Sequence, residues 1–258
     1  MSLNHLRSFA AVAAVVVMTA CGSKEPGPAA KAPPADAKRV DPATAGTLAG
    51  KVVFDGPAPV NAPIKMSADP TCVSENPNGA AFDTYVVKDG GLDNVFVYVK
   101  DGLGNYYFDT PTEAVTLNQK ACHYEPHVFG ILAGQPLDIV NDDSTLHNVH
   151  AMPTGNQEFN FPQQIKGMKN RKTFTTREVM VPIKCDVHGW MKAYAGVMDH
   201  PYFAVTQGGG RFELKNVPPG TYTIEAWHER LGTQTQQVTI AGKESKDVSF
   251  TFKPAAAQ

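Results

Sequence analysis

Side chains alternate with a period of two along most of residues 47–252, and long helical periodicity is nearly absent. That pattern confines the chain to half-buried strands. Val95, Val97 and Val99 alternate with Phe96, Tyr98 and Lys100, while Leu137, Ile139 and Asn141 form one strand face entered through a turn at Gly134. Val179, Val181 and Ile183 alternate with Met180, Pro182 and Lys184, and Tyr194 and Met198 alternate with Ala193, Ala195 and Val197. The alternation resumes at Tyr222, Ile224 and Ala226, at Val238 and Ile240, and at Val248, Phe250 and Phe252. Pro182 cannot donate to a ladder, so its strand is expected at a sheet edge or with a local break. The predicted fold class is all-β, built from antiparallel sandwiches.

One segment carries chemistry. Cys185-Asp-Val-His188-Gly-Trp-Met191 places a sulfur able to ionise, an imidazole and a thioether within seven residues. A second imidazole, His147, lies 38 positions upstream (185 − 147). Cys185 shares the parity of Val181 and Ile183, so its strand aims the sulfur inwards. Two imidazoles, a thiolate and a weak axial thioether suit copper cycling between two oxidation states, and suit magnesium, calcium or manganese poorly. Cys185 would bind as a metal-stabilised thiolate. His147 and His188 would each use one ring nitrogen, the other being hydrogen-bonded or facing solvent. Met191 would be the long axial donor. His150 competes with His147 but has the opposite strand parity.

Other chemistries fit less well. A binuclear copper centre needs a second cysteine in the loop, and covalent haem needs C-x-x-C-H; both are absent. A cysteine nucleophile needs an oriented base and has no use for Met191. Structural zinc prefers four Cys/His donors in spaced pairs. The expectation is a carrier, not an enzyme.

His147-Asn148-Val149 followed by Cys185-x2-His188-x2-Met191 resembles the cupredoxin family, with the short ligand loop of its amicyanin branch. The phrase from Pro126-His127-Val128 through Gly134, Leu137, Asn141 and Asp142 resembles the strand pair leading to the first ligand. The resemblance spans residues 92–202. It implies a cupredoxin-like Greek-key β-sandwich and one type 1 copper ion held by His147, Cys185, His188 and Met191. Asn148 would tie the two ligand loops together. It also implies single-electron exchange with a redox protein such as a cytochrome or copper oxidoreductase. Non-redox copper storage or delivery is the alternative function.

Farther on, Gly210-Arg211-Phe212-Glu213-Leu214 through Pro219-Gly220-Thr221-Tyr222 resembles the carboxypeptidase regulatory-like (prealbumin-like) β-sandwich module, assigned to residues 208–254. That stretch is short for the fold. Gly50-Lys51-Val52-Val53-Phe54 has the pattern of its missing first strand. Residues 47–91 are therefore either a separate N-terminal strand and loop or part of that module, with the copper domain inserted.

The remaining features concern compartment and surface. Arg7 and the apolar run at residues 9–18 read as a signal peptide over residues 1–20, too short an apolar run to span a bilayer as a helix. Met18-Thr19-Ala20-Cys21 resembles a lipobox, which implies lipidation of Cys21. Residues 21–46 then read as a Pro/Ala-rich tether. The expected location is lipid-anchored on the periplasmic face of a bacterial membrane, Gly22 favouring the outer one. Of the other cysteines, Cys72 and Cys122 remain once Cys185 is given to metal, and export favours pairing them in a disulfide. A net charge of −2 argues against a nucleic-acid partner. The run Lys166, Lys169, Arg171 and Lys172 reads as a solvated loop, with docking of an acidic partner as the alternative. His123, His127, His200 and His228 are assigned structural roles. Trp190 is expected to form an apolar patch beside an exposed edge of His188.

Overall fold

The computed structural model describes residues 35–254. The expected signal peptide and the lipidated Cys21 lie outside those residues. Strand β1 (Gly46–Phe54) is followed by one short helix, α1 (Pro70–Glu75), and by β2 (Val87–Lys88), β3 (Gly91–Leu92) and β4 (Phe96–Asp101). The middle of the chain supplies β5 (Val115–Lys120), β6 (His123–Glu125), β7 (Val128–Leu132), β8 (Pro136–Asn141) and β9 (His147–Ala151). It continues with β10 (Phe159–Gln163), β11 (Lys169–Thr173), β12 (Glu178–Lys184) and β13 (Lys192–Met198). The last part forms β14 (Phe203–Val205), β15 (Arg211–Val217), β16 (Gly220–His228), β17 (Gly232–Ile240) and β18 (Ser245–Phe252). The chain is all-β, as the alternation requires.

Four sheets pack as two sandwiches. In the first, β15-β1-β3-β2, with β18 also on β1, faces β14-β4-β16-β17. Leu48, Val52, Val97, Val99, Tyr222, Ile224, Phe250 and Phe252 fill the space between. In the second, β10-β9-β12-β13-β7 faces β11-β8-β5-β6 across Leu117, Phe129, Leu137, Ile139, Val149, Val181 and Ile183. The chain thus enters the second sandwich after β4 and returns to the first at β14. Phe96, Tyr98, Val128, Leu132, Met180 and Met198 form a third apolar cluster joining the two. Close approach there depends on the cross-strand pair Gly130–Gly196. A Cβ at Gly130 would lie 2.2 Å from the Phe203 ring, and one at Gly196 would lie 2.3 Å from the Phe96 ring.

Three expectations change, and that for Pro182 resolves to one of its two alternatives. Strand β4 falls within the 92–202 stretch, yet it pairs with β14 and β16 of the first sandwich. Its alternating valines complete that core. The sandwiches are not purely antiparallel, because β1–β18, β5–β8 and β7–β13 run parallel where the chain crosses between sheets. Pro182 lies on β12, which has neighbours on both sides. The break falls just before it, where the register shifts between Glu178 and Val181 and Met180 takes a φ of +63°. The last part of the expected tether is bound to the fold. Lys38 forms a parallel bridge with Tyr106 through Lys38 N–H to Asn105 O (2.8 Å) and Tyr107 N–H to Lys38 O (2.9 Å). Arg39 grips Asp109 with two nitrogens, and Val40 packs on the first core.

Candidate metal centre

Strands β9 and β12 lie side by side, with Ile183 opposite Ala151 and Lys184 opposite His150. That register brings the start of β9, His147, to the end of β12, where Cys185 follows. The loop 185–191 then folds back on itself. Met191 N–H donates to His188 O (2.9 Å) and Cys185 N–H to Met191 O (3.2 Å). Asn148 couples the two segments: its backbone N–H points at Cys185 Sγ (3.4 Å), and its Oδ1 accepts from Asp186 N–H (3.2 Å). From the opposite sheet Tyr124 OH donates to Asn148 O (2.7 Å) and Lys184 O (3.2 Å). Burial, with the negative charge of Cys185 and Asp186, holds that phenol protonated.

His147, Cys185 and His188 converge, with one donor atom of each within 4.8 Å of the other two. All are buried: His147 is 0% exposed, Cys185 1% and His188 3%. The Nδ1 atoms of the two histidines are 3.0 Å apart, and Cys185 Sγ lies 3.8 Å from His188 Nδ1. Met191, also 1% exposed, belongs to the same apolar cluster. His150 stands apart, its Nδ1 on Asp186 (3.0 Å) and its Nε2 on Glu158 (2.8 Å).

The outer edges of both imidazoles meet carboxylates. His147 Nε2 is 2.8 Å from Asp143 Oδ2, and His188 Nε2 is 3.1 Å from Asp69 Oδ2. Burial alone would raise both carboxyl pKa values. For Asp69, the hydroxyl of Thr145, the His188 ring and the N–H groups of Cys72 and Thr71 outweigh it and bring the value to about 2. For Asp143, the His147 ring and the N–H groups of Cys122 and Ala121 likewise produce a net lowering. An ionised carboxylate only accepts hydrogen bonds, so each Nε2 must be the donor. Each Nδ1 then presents a lone pair inwards, and two lone pairs 3.0 Å apart require a proton or a cation between them. Cys185 supplies the anion. Burial pushes its thiol up, but the adjoining His147 and His188 rings, with hydrogen bonds from the backbone N–H groups of Asn148 and His188, carry it down to about 6. Two fixed imidazole donors and a ready thiolate fit copper.

Two of these residues were missed by sequence reasoning. Asp143 stands four positions before His147, a spacing that could have flagged it. Asp69 comes from 119 positions away and had no local signal. The Cys72–Cys122 disulfide is present, with Cα atoms 5.5 Å apart. The bridge lies against the centre, with Cys72 Sγ 3.7 Å from His188 Nε2. Trp190 also departs from expectation. The His188 edge beside it is covered by Asp69 and the disulfide, and the indole N–H donates to Cys122 O (3.0 Å). Lys169 and Arg171 lie on β11 paired with Asp138, and Lys172 sits over the rings of Phe159 and Phe161, so this part of the basic run is a paired strand, while Lys166 lies in the exposed turn before it as expected. Outside the centre, His127 Nε2 pairs with Glu229 (2.6 Å) and His200 Nε2 donates to Val99 O (2.8 Å).

A sequence-family profile described as "Polysaccharide lyase family 4, domain II" matches residues 173–248. That span overlaps residues 208–254, whose sequence resembles the carboxypeptidase regulatory-like module; the family matched there is a different one. Comparison with curated proteins finds no match. Similar solved structures include a Cu(I) methionine variant of amicyanin, with 20% identity and a TM-score of 0.30 over 33% of this chain and 82% of that one. A purple cupredoxin from Nitrosopumilus maritimus shows 21% identity and a TM-score of 0.28 over 32% and 98%. A copper-containing nitrite reductase from Thermus scotoductus shows 17% identity and a TM-score of 0.32 over 58% and 28%.

Proposed function

We propose that this chain is a copper protein that passes single electrons between redox partners. His147, Cys185 and His188 would hold the ion and Met191 would be its weak axial donor. The observation that carries this reading is the pair of facing Nδ1 atoms, 3.0 Å apart, with each Nε2 committed to a carboxylate beside a thiol driven towards thiolate. Copper bound there supplies a one-electron couple. The chain's own contribution is rigidity. Asp69 and Asp143 fix the ring orientations, two backbone N–H groups fix the sulfur, and burial of all three donors keeps water away. Such a site changes charge with little movement, which suits a carrier that performs no turnover of its own.

The wider setting belongs to the same proposal. Cys21 would be lipidated and the folded part would face the periplasm, the outer membrane being favoured. Redox partners would be proteins such as cytochromes or copper oxidoreductases. The Cys72–Cys122 bridge supports an oxidising compartment. Titrating metal-free protein with Cu(II) tests the reading. An intense thiolate-to-copper band towards the red end of the visible, saturating at one equivalent, is expected. Tight binding with only weak absorption would favour storage or delivery.

A further inference from the structure

The centre has an unusual relation to its surface. His188 cannot present its edge to a partner, because Asp69 at the start of α1 and the Cys72 sulfur occupy it. His147 is closed in the same way by Asp143, which also accepts from the N–H groups of Ala121 (2.7 Å) and Cys122 (2.8 Å). Cys185 and Met191 are each 1% exposed. Trp190 is different. Its ring centroid lies 5.0 Å from that of His188, and its N–H bond to Cys122 O fixes the indole in place. The same indole is only partly buried and, with Met191, lines a cleft of about 360 Å³. Ala62, Phe82 and Tyr85, from the segment between β1 and β2, line the same cleft.

We propose that electrons enter and leave the centre through the Trp190 indole, which opens on this cleft, and that the α1 face over His188 is closed to exchange. The proposal rests on the copper reading above. One conjugated ring spans from a ligand imidazole to an open surface, whereas the other outward edges of the two imidazoles end in carboxylates and a disulfide. The indole acts as a coupling bridge: one electron passes between the bound ion and an external reagent, and no bond forms or breaks in Trp190.

Electron exchange with hexaammineruthenium(II), followed by stopped flow on copper-loaded protein, tests the port. Trp190→Leu should slow reduction severalfold while leaving the visible band and the potential unchanged. Ala62→Trp, which adds bulk to the lining of the cleft, should slow it too. Val73→Trp, which adds bulk to the exposed face of α1, should leave the rate as it is. A second readout needs no electron exchange. In a Trp227→Phe background, Trp190 is the one remaining tryptophan, and copper should quench its emission at one equivalent. The port is overturned if Trp190→Leu and Ala62→Trp both exchange at the wild-type rate, if Val73→Trp is the slow variant, or if Trp190 emission is indifferent to copper. Absence of the intense band in wild-type protein would instead overturn the copper reading itself, so the two failures are separable.

Discussion

Asp69 and His188 are 119 residues apart in the chain, and their side chains meet at 3.1 Å in the centre. The same carboxylate is the N-cap of α1, where Oδ1 accepts from Thr71 N–H (2.8 Å) and Cys72 N–H (3.3 Å). Helix start and ligand orientation therefore share one side chain. Asn caps helices about as well as Asp, so Asp69→Asn should preserve α1 and the melting temperature of the metal-free protein. Its neutral amide is a poorer partner for a ligating imidazole, and loss of such a partner typically costs ~10–100-fold in metal affinity. A copper titration of the variant checks this. Wild-type affinity would show that Asp69 serves only the helix.

The disulfide ties α1 to the β5–β6 turn and lies against His188. In the chain-entropy model, closing the 50-residue separation stabilises by ~4 kcal/mol. Reduction should therefore destabilise the metal-free protein by ~2–4 kcal/mol in a denaturant titration. Because Cys72 touches the outer edge of His188, reduction should also weaken copper binding. Among Cys72, Cys122 and Cys185, thiol counting on denatured, unreduced, metal-free protein should find one free group. Three would contradict the bridge.

Met191 carries a separate expectation. Its backbone closes the ligand loop, so substitutions that keep side-chain bulk should leave the loop intact. Met191→Gln and Met191→Leu should both retain copper and both shift the reduction potential, since axial polarity tunes it. Voltammetry showing the wild-type potential in both variants would make Met191 a packing residue.

The first sandwich predicts a pH dependence. Burial lowers His228 and His200 from 6.5 to about 4 in the folded chain. Below pH 6.5 the unfolded state takes up protons that the folded state refuses until about pH 4, so stability falls as pH drops through that window. His228 Nδ1 accepts from Arg230 and Leu231 N–H, a role that a Gln oxygen can take. His228→Gln should therefore show a shallower loss of stability between pH 6.5 and 4 than wild type does. Equal slopes in urea melts across that range would contradict the assignment.

Strand parity in the sequence foretold the all-β class and the inward Cys185, because alternation is a local property. The His147, Cys185 and His188 set was legible for a similar reason: its donors sit at fixed steps on two segments whose strands pair. Asp69 was invisible because its role depends on where α1 docks, which no spacing encodes. The placement of β4 was misread for a related reason. Val95, Val97 and Val99 announce a buried strand but do not say which sandwich buries it, and pairing with β16 decides that. Trp190 looked like a surface patch because its neighbour was assumed to be exposed, whereas the Asp69 and Cys72 contacts cover His188.

The visible spectrum of Cys185→Ser, recorded beside wild type after loading with Cu(II), tests the central claim most directly. Cys185 is the free cysteine among the described residues, and its sulfur faces both histidines. A hydroxyl cannot replace a soft thiolate. The predicted result is loss of the intense band with weaker copper binding in the variant. Retention of that band at wild-type intensity would mean that Cys185 does not hold the ion.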